Sequence, residues 1–313
     1  MRILVTGGAG FIGSHVVDAY IAAGHDVVVV DNLHTGKKEN VHPKARFYQV
    51  DIRDVDALAR VFEEEHPEVI SHQAALANVR ESMEKPAEYA EVNVIGSIHL
   101  LELARKFGTR KVIYASTGGA VYGEPVFLPA TEEHPINPLD NYGASKHAVE
   151  HYLYLYRHNY GLDYTILRYP NVYGPRQDPL GEAGVIAIFT GRMLRGEVCI
   201  INGSGEQQRD FLYVGDVARA NVFALERGSG GIYNLGWGKG IDINTVFRKL
   251  AEAADYHLDP VYGPPKLGEV FRIYLDASKA REELGWEPQV TFEEGLALTV
   301  AYFRDREGQQ AGS

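Results

Sequence analysis

Eight residues near the start of the 313-residue chain, Thr6-Gly7-Gly8-Ala9-Gly10-Phe11-Ile12-Gly13, constrain its fold more than any other segment. They follow an apolar run, Ile3-Leu4-Val5, and precede a helical pattern through Ile12, Val16, Tyr20 and Ala23 that Gly24 closes. The segment satisfies both G-x-G-x-x-G and T-G-x-x-G-x-x-G. Glycine is required because the chain must turn tightly, its backbone must approach a pyrophosphate, and the helix must pack close to the strand. The helix N-terminus then offers unpaired N–H groups and a positive dipole end to phosphate. The next apolar run, Val27 to Val30, ends at Asp31, whose carboxylate suits ribose hydroxyls and would repel a ribose phosphate. The pattern predicts a bound dinucleotide, NAD rather than NADP. Lys37 and Lys38, which follow closely, could soften that preference or simply lie in a solvated loop.

Further strands are predicted at Arg46–Asp51, Val69–His72, Lys111–Ala115 and Tyr164–Arg168. Helices are predicted at Asp54–Glu65, with Asp54 as N-cap, and at Pro86–Phe107 and Ser145–Tyr160. Strands that are apolar throughout and alternate with helices indicate a parallel sheet covered on both faces. The fold class is therefore α/β, a Rossmann-type doubly wound sheet. The alternation stops after Tyr173-Gly174-Pro175-Arg176. We expect residues 1–174, with a returning segment near 209–236, to form the NAD-binding domain. Residues 175–208 and 237–313 would form a smaller C-terminal α/β substrate lobe, with helices near Asn244–Ala254, Ser278–Leu284 and Glu293–Arg304.

Composition narrows the function. A net charge of −11 argues against nucleic acid as the main ligand, because a phosphate backbone needs a basic surface. The single cysteine, Cys199, lies in the apolar run Val198–Ile201 and reads as a buried strand residue. The histidines show no metal-ligand spacing, so His72 and His99 read as packing or hydrogen-bonding residues and no metal is expected. With no leader ahead of the first strand and no membrane-length apolar stretch, a cytoplasmic location is expected.

The chemistry is signalled by Tyr142-Gly143-Ala144-Ser145-Lys146. Spacing of four places both side chains on one helical face. An ammonium near the phenol favours phenolate, so the tyrosine can act as a general base near neutral pH.

With these segments the chain resembles the extended short-chain dehydrogenase/reductase family, and within it the UDP-hexose 4-epimerase branch. The similarity spans essentially the whole chain: Thr6–Gly13, Val30–Leu33, His72–Ala75, Asn93–Gly96, Ser116–Gly123, Tyr142–Lys146, Arg168–Gly174, Arg209–Phe211 with Val214–Val217, and Leu284–Trp286. The resemblance implies NAD held as a resident cofactor by Gly7, Gly10, Phe11, Ile12, Gly13, Asp31, Asn32, Leu33, Thr35, Gly36, Asp51, Ile52, Gln73, Ala74, Ala75, Ala77, Asn93, Ser116, Tyr142, Lys146 and Pro170. It implies 4-epimerisation of UDP-glucose and UDP-galactose through a transient 4-keto sugar, with Tyr142 as acid/base. A Ser or Thr normally hydrogen-bonds the same sugar oxygen. Counted back from Val121-Tyr122-Gly123 its usual place is Gly118, so the role falls to Thr117, with Ser116 as substitute.

Related dehydratases and decarboxylases carry acidic side chains just before V-Y-G, where this chain has Gly119 and Ala120. Elimination would lack its acid and base. The resemblance also implies that Asn171, Arg209 and Lys266, with Arg272 in reserve, contact the UDP diphosphate, a role in which guanidinium binds phosphate bidentately. Ile273 aligns with the position that sets space beside the sugar. N-acetylated and uronic UDP-sugars remain alternatives, as does a non-catalytic NAD-sensing regulator, although such proteins typically lose Y-x-x-x-K. The helices Pro86–Phe107 and Ser145–Tyr160 resemble a pair that forms a four-helix interface, implying a homodimer.

Overall fold

The computed structural model describes residues 1–179, 184–265 and 270–311. The first apolar run is β1 (Arg2–Thr6), inside a seven-stranded, wholly parallel sheet. The other sheet strands are β2 (Asp26–Asp31), β3 (Arg46–Gln49), β4 (Val69–His72), β5 (Lys111–Thr117), β6 (Asp163–Tyr169) and the edge strand Gly231–Asn234. Their order is Gly231–Asn234, β6, β5, β4, β1, β2, β3. The order reverses between β1 and β4, which makes the cleft beyond their carboxyl ends the natural place for a ligand.

Helix α1 (Phe11–Ala22) covers one face with the helix Val214–Ala224, through Val16, Val17, Tyr20, Val217 and Ala220. Helix α2 (Val55–Glu65), the helix Gly96–Phe107 and the helix Asn141–Tyr160 cover the other, around Leu58, Phe62, Leu100, Val149 and Leu153. Asp54 caps α2 by accepting from the Ala57 amide at 3.0 Å. A separate apolar cluster unites the helices Val185–Leu194, Ile243–Ala254 and Phe292–Ala311 through Phe189, Phe247, Leu250, Leu296 and Val300. Cys199 belongs to this cluster and is fully buried.

Several boundaries differ from expectation. β5 continues past Ala115 to Thr117, so Ser116 and Thr117 lie in a strand paired with Arg168 and Tyr169 rather than in a loop. β3 ends at Gln49, before Asp51. The expected helix Pro86–Phe107 is broken into Pro86–Tyr89, a π-helical stretch Ala90–Ile95, and Gly96–Phe107. The helix expected from Ser145 begins at Asn141, because Asp140 caps it by accepting from the Gly143 amide at 2.7 Å. The helices Val185–Leu194 and Val214–Ala224 were not anticipated; neither has a side-chain N-cap. Among the described residues no helix is long and apolar enough to cross a membrane.

Candidate active site

Two glycines of the Thr6–Gly13 segment, Gly7 and Gly13, have no room for a side chain. A Cβ at Gly13 would stand 2.0 Å from the Gly7 carbonyl oxygen, and one at Gly7, where φ is +70°, would stand 2.7 Å from the Ala74 amide nitrogen. These glycines let the β1–α1 turn close onto α1 and onto the segment that follows β4. The result is a cleft of about 670 Å³. Most of the expected cofactor residues line it: Gly7, Gly10, Phe11, Ile12, Gly13, Asp31, Asn32, Thr35, Gly36, Asp51, Ile52, Gln73, Ala74, Ala75 and Ala77.

Asp31 accepts from the Ala9 amide at 3.0 Å and the Leu33 amide at 2.8 Å. Burial pushes its carboxyl up, and those two N–H bonds oppose the shift. Asp51 sits across the cleft floor, bonded to Asn32 at 2.8 Å and bidentately to Arg53 at 2.9 Å. Lys37 meets Asp178 at 3.2 Å, and Lys38 lies over the Phe47 ring. The cradle, the acid at the end of β2 and two unpartnered buried polar atoms in the wall (Nη1 of Arg176 and Oε1 of Gln177) together fit a dinucleotide. Arg53, Glu88 and the trio Arg176, Gln177 and Asp178 also line the cleft and were not anticipated. The trio follows the Rossmann half in sequence, where no local pattern points back to the cofactor.

Leu33, Asn93, Ser116, Tyr142, Lys146 and Pro170 are outside the walls of that cleft. Leu33 takes φ +61° in the turn closed by its amide bond to Asp31. Asn93 is a buried tie. Its amide donates to the Leu76 carbonyl and the Ser145 hydroxyl, each at 2.9 Å, and its oxygen accepts from the Leu76 amide at 2.8 Å. It thereby joins the cleft wall to the helix that carries Tyr142 and Lys146, and it does so from the π-helical stretch, a distortion frequent at functional sites.

Tyr142 and Lys146 lie in the first turns of the helix Asn141–Tyr160. Gly143 lets this turn meet the loop after β5, since a Cβ there would stand 2.8 Å from the Ala120 carbonyl oxygen. Lys146 is buried, its ammonium 4.5 Å from the centre of the Tyr114 ring. Burial pulls its pKa down to about 7, opposed by the charge of Glu150. His72 is also buried and hydrogen-bonds Thr6 at 2.7 Å and Ser97 at 2.8 Å. Burial, and secondarily the charge on Lys146, take its pKa down to about 3, so it stays neutral. His99 lies 3.3 Å from the Ile52 carbonyl oxygen.

The two candidate hydroxyls are in different surroundings. Ser116 donates to Glu150 at 2.6 Å. Glu150 also accepts two bonds from Arg168, at 3.0 and 2.6 Å, and pairs with His147. Burial works against its charge, but these partners outweigh burial and hold its pKa down to about 2. Thr117 lies on the other side of the strand. Its hydroxyl and the Asn171 side-chain oxygen stand 3.8 and 3.9 Å from where a Gly119 Cβ would be. A side chain at Gly118 would have to displace the end of the Leu275 side chain, whose Cδ1 is 2.3 Å from the Cβ position.

Leu275 is placed by Asp210, which accepts from the amides of Leu275, Trp237 and Gly238 at 3.0 to 3.2 Å. Burial pushes the Asp210 carboxyl up to about 6 against those three bonds. Arg209 donates to the Gln208 and Phe271 carbonyls and pairs in register with Ile273. Ile273 is buried against Val121, Tyr122, Ala130 and Leu275, so it shapes this cluster rather than presenting open surface. Arg272 is exposed beside Phe271. Lys266 lies outside the described residues.

A doubly wound parallel sheet, a glycine-rich turn at the mouth of the cleft and a helix-borne Tyr–Lys pair define a dinucleotide-binding, Rossmann-type fold. The chain matches the NAD dependent epimerase/dehydratase family over residues 3–236 and belongs to that family. A UDP-glucose 4-epimerase of Thermotoga maritima, solved with UDP-glucose, superposes with a TM-score of 0.97 at 52% identity, covering 98% of this chain and 100% of that one. A UDP-glucose 4-epimerase of Thermus thermophilus, solved with NAD, gives a TM-score of 0.92 at 48% identity, covering 97% and 99%. A UDP-glucose 4-epimerase of Mycolicibacterium smegmatis is 45% identical over 98% of this chain and 99% of its own.

Proposed function

We propose that this chain interconverts UDP-glucose and UDP-galactose by NAD-dependent epimerisation at C4. The observation that carries this reading is the Tyr142–Lys146 pair tied to the dinucleotide cleft, with only Gly119 and Ala120 where an elimination would need an acid and a base. The relatives similar over nearly the whole chain support it. Bound in the cleft, NAD supplies a reversible hydride acceptor for the sugar C4. Tyr142 takes the proton of the 4-hydroxyl and returns it once the 4-keto sugar has presented its other face. The Lys146 charge favours the phenolate. Thr117 hydrogen-bonds the same sugar oxygen. Asn171 and Arg209, with Lys266 and Arg272 on sequence grounds, hold the UDP diphosphate, and Ile273 limits the space beside the sugar from behind, through the buried cluster it forms with Val121 and Leu275.

The cofactor-binding part comprises residues 1–174 with 209–236, and the substrate lobe 175–208 with 237–313, the first residues of which, Arg176 to Asp178, also line the cofactor cleft. The chain acts in the cytoplasm as a homodimer built on the helices 86–107 and 141–160, which expose Ile95, Tyr154, Leu155 and Tyr160. Product analysis by NMR across UDP-sugars, with no NAD added, tests the reading. Turnover of UDP-glucose is expected. Tyr142→Phe should retain NAD and lose about 10²- to 10⁴-fold in kcat; full activity in that variant would refute the role of Tyr142.

A further inference from the structure

We propose that Arg176, from the segment that follows the strand Asn171–Tyr173, is a further cofactor ligand that binds the dinucleotide diphosphate together with the glycine turn. Among the described residues, two buried side-chain polar atoms lack a hydrogen-bond partner: Nη1 of Arg176 and Oε1 of the adjacent Gln177. Both residues line the cofactor cleft with Gly10 and Gly13. Buried polar atoms are nearly always satisfied; of these two only Nη1 is a donor that an anion could satisfy, and since both atoms are closed to solvent as the side chains stand, the partly exposed guanidinium would have to turn Nη1 toward the cleft.

The backbone gives a second, independent sign. Arg176 is held at φ +66°, a left-handed conformation that a side chain disfavours. Such strain persists where the surroundings enforce it and clusters at ligand sites. The guanidinium is also pre-positioned. Its Nη2 donates to Asp18 of α1 at 2.6 Å, which pins the fork against the helix whose N-terminus opens into the cleft.

Charge identifies the ligand group. The first turn of α1, Phe11-Ile12-Gly13-Ser14, carries no cation. Of the cations in the described cleft wall, Arg53 is held bidentately by Asp51 and Lys37 pairs with Asp178, both acids of the same wall. Arg176 differs, because its acidic partner Asp18 is not among the residues lining the cleft. A forked guanidinium with one nitrogen anchored and the other without a partner matches a phosphate oxygen. The proposal depends on family membership and not on which sugar is turned over.

The test compares binding of NAD, ADP and adenosine to protein stripped of nucleotide, by calorimetry, in the unaltered chain and in Arg176→Gln. The Kd for NAD and for ADP should rise about 10- to 100-fold, the loss expected for one charge-assisted hydrogen bond. Adenosine, which lacks the diphosphate, should bind as before, and the variant as purified should carry less NAD by absorbance. Arg176→Gly suits the positive φ and guards against a failure to fold; it should show the same selective loss. Unchanged ADP affinity in both variants, or adenosine weakened as much as ADP, would overturn the proposal. None of these readouts involves the sugar, so they succeed or fail separately from the epimerase reading.

Discussion

Ser116 and Thr117 are neighbours in β5, and strand alternation sends their side chains to opposite faces. One face holds the buried Glu150–Arg168 pair, and the other looks toward Asn171 and Gly119. We therefore propose Thr117, rather than Ser116, as the hydroxyl that meets the substrate. Thr117→Val should lower kcat roughly 10- to 100-fold, the worth of a hydrogen bond to a developing charge, and leave stability nearly unchanged. Ser116→Ala should do the reverse. It removes a donor from a buried carboxylate, costing about 1–3 kcal/mol in urea unfolding, with kcat largely preserved. Equal loss of kcat in both variants would sink this assignment. The displacement from Gly118 has a physical cause, since Leu275 fills the volume a side chain at 118 would need.

At the scale of elements, the site depends on where the helix Asn141–Tyr160 starts. Asp140 satisfies an N–H group of the first turn, and that turn carries Tyr142. Asp140→Ala should cost about 1 kcal/mol and lower Tm by roughly 1–2 °C for a chain of this size. It should also lower kcat more than it raises KM, because the turn that aims the base would fray. Calorimetry and steady-state kinetics on the same preparation check both effects. The π-helical stretch Ala90–Ile95 has a comparable part. It places Asn93 so that one amide clasps Leu76 of the cleft wall and Ser145 beside Lys146. The apolar spacing of that region reads as one continuous helix, because an extra residue in a helical turn leaves no compositional mark.

At the scale of the molecule, the pair of helices on the outer sheet face leaves several large side chains in water, Tyr154 and Tyr160 among them at 56% exposure each. The homodimer we propose would cover them. Light scattering at micromolar concentration should give twice the 34.7 kDa of one chain, and Tyr154→Glu with Tyr160→Glu should shift the mass toward one chain. A single-chain mass for the unaltered protein would refute the dimer. The proposed active site is assembled across the whole sequence. Asp210 reaches to Leu275, Leu275 to Gly118, and Asn93 to Ser145, so distant segments set the shape of one small volume.

The sequence alone determined the sheet and its cofactor cradle, because both rest on local rules: apolar runs of strand length, glycines where the backbone must pass closely, and an acid at the end of β2. The Tyr142–Lys146 pair was legible for the same reason, being a spacing of four on one helix. The sequence put Thr117 first and Ser116 second as the substrate hydroxyl; what it did not show is that β5 runs on through both residues and that a leucine 157 positions beyond Gly118 packs against that glycine. Arg176 and Gln177 were equally hidden. No pattern near them names a nucleotide, and only the folding of the chain back against α1 puts their unmet polar atoms into the wall of the cleft.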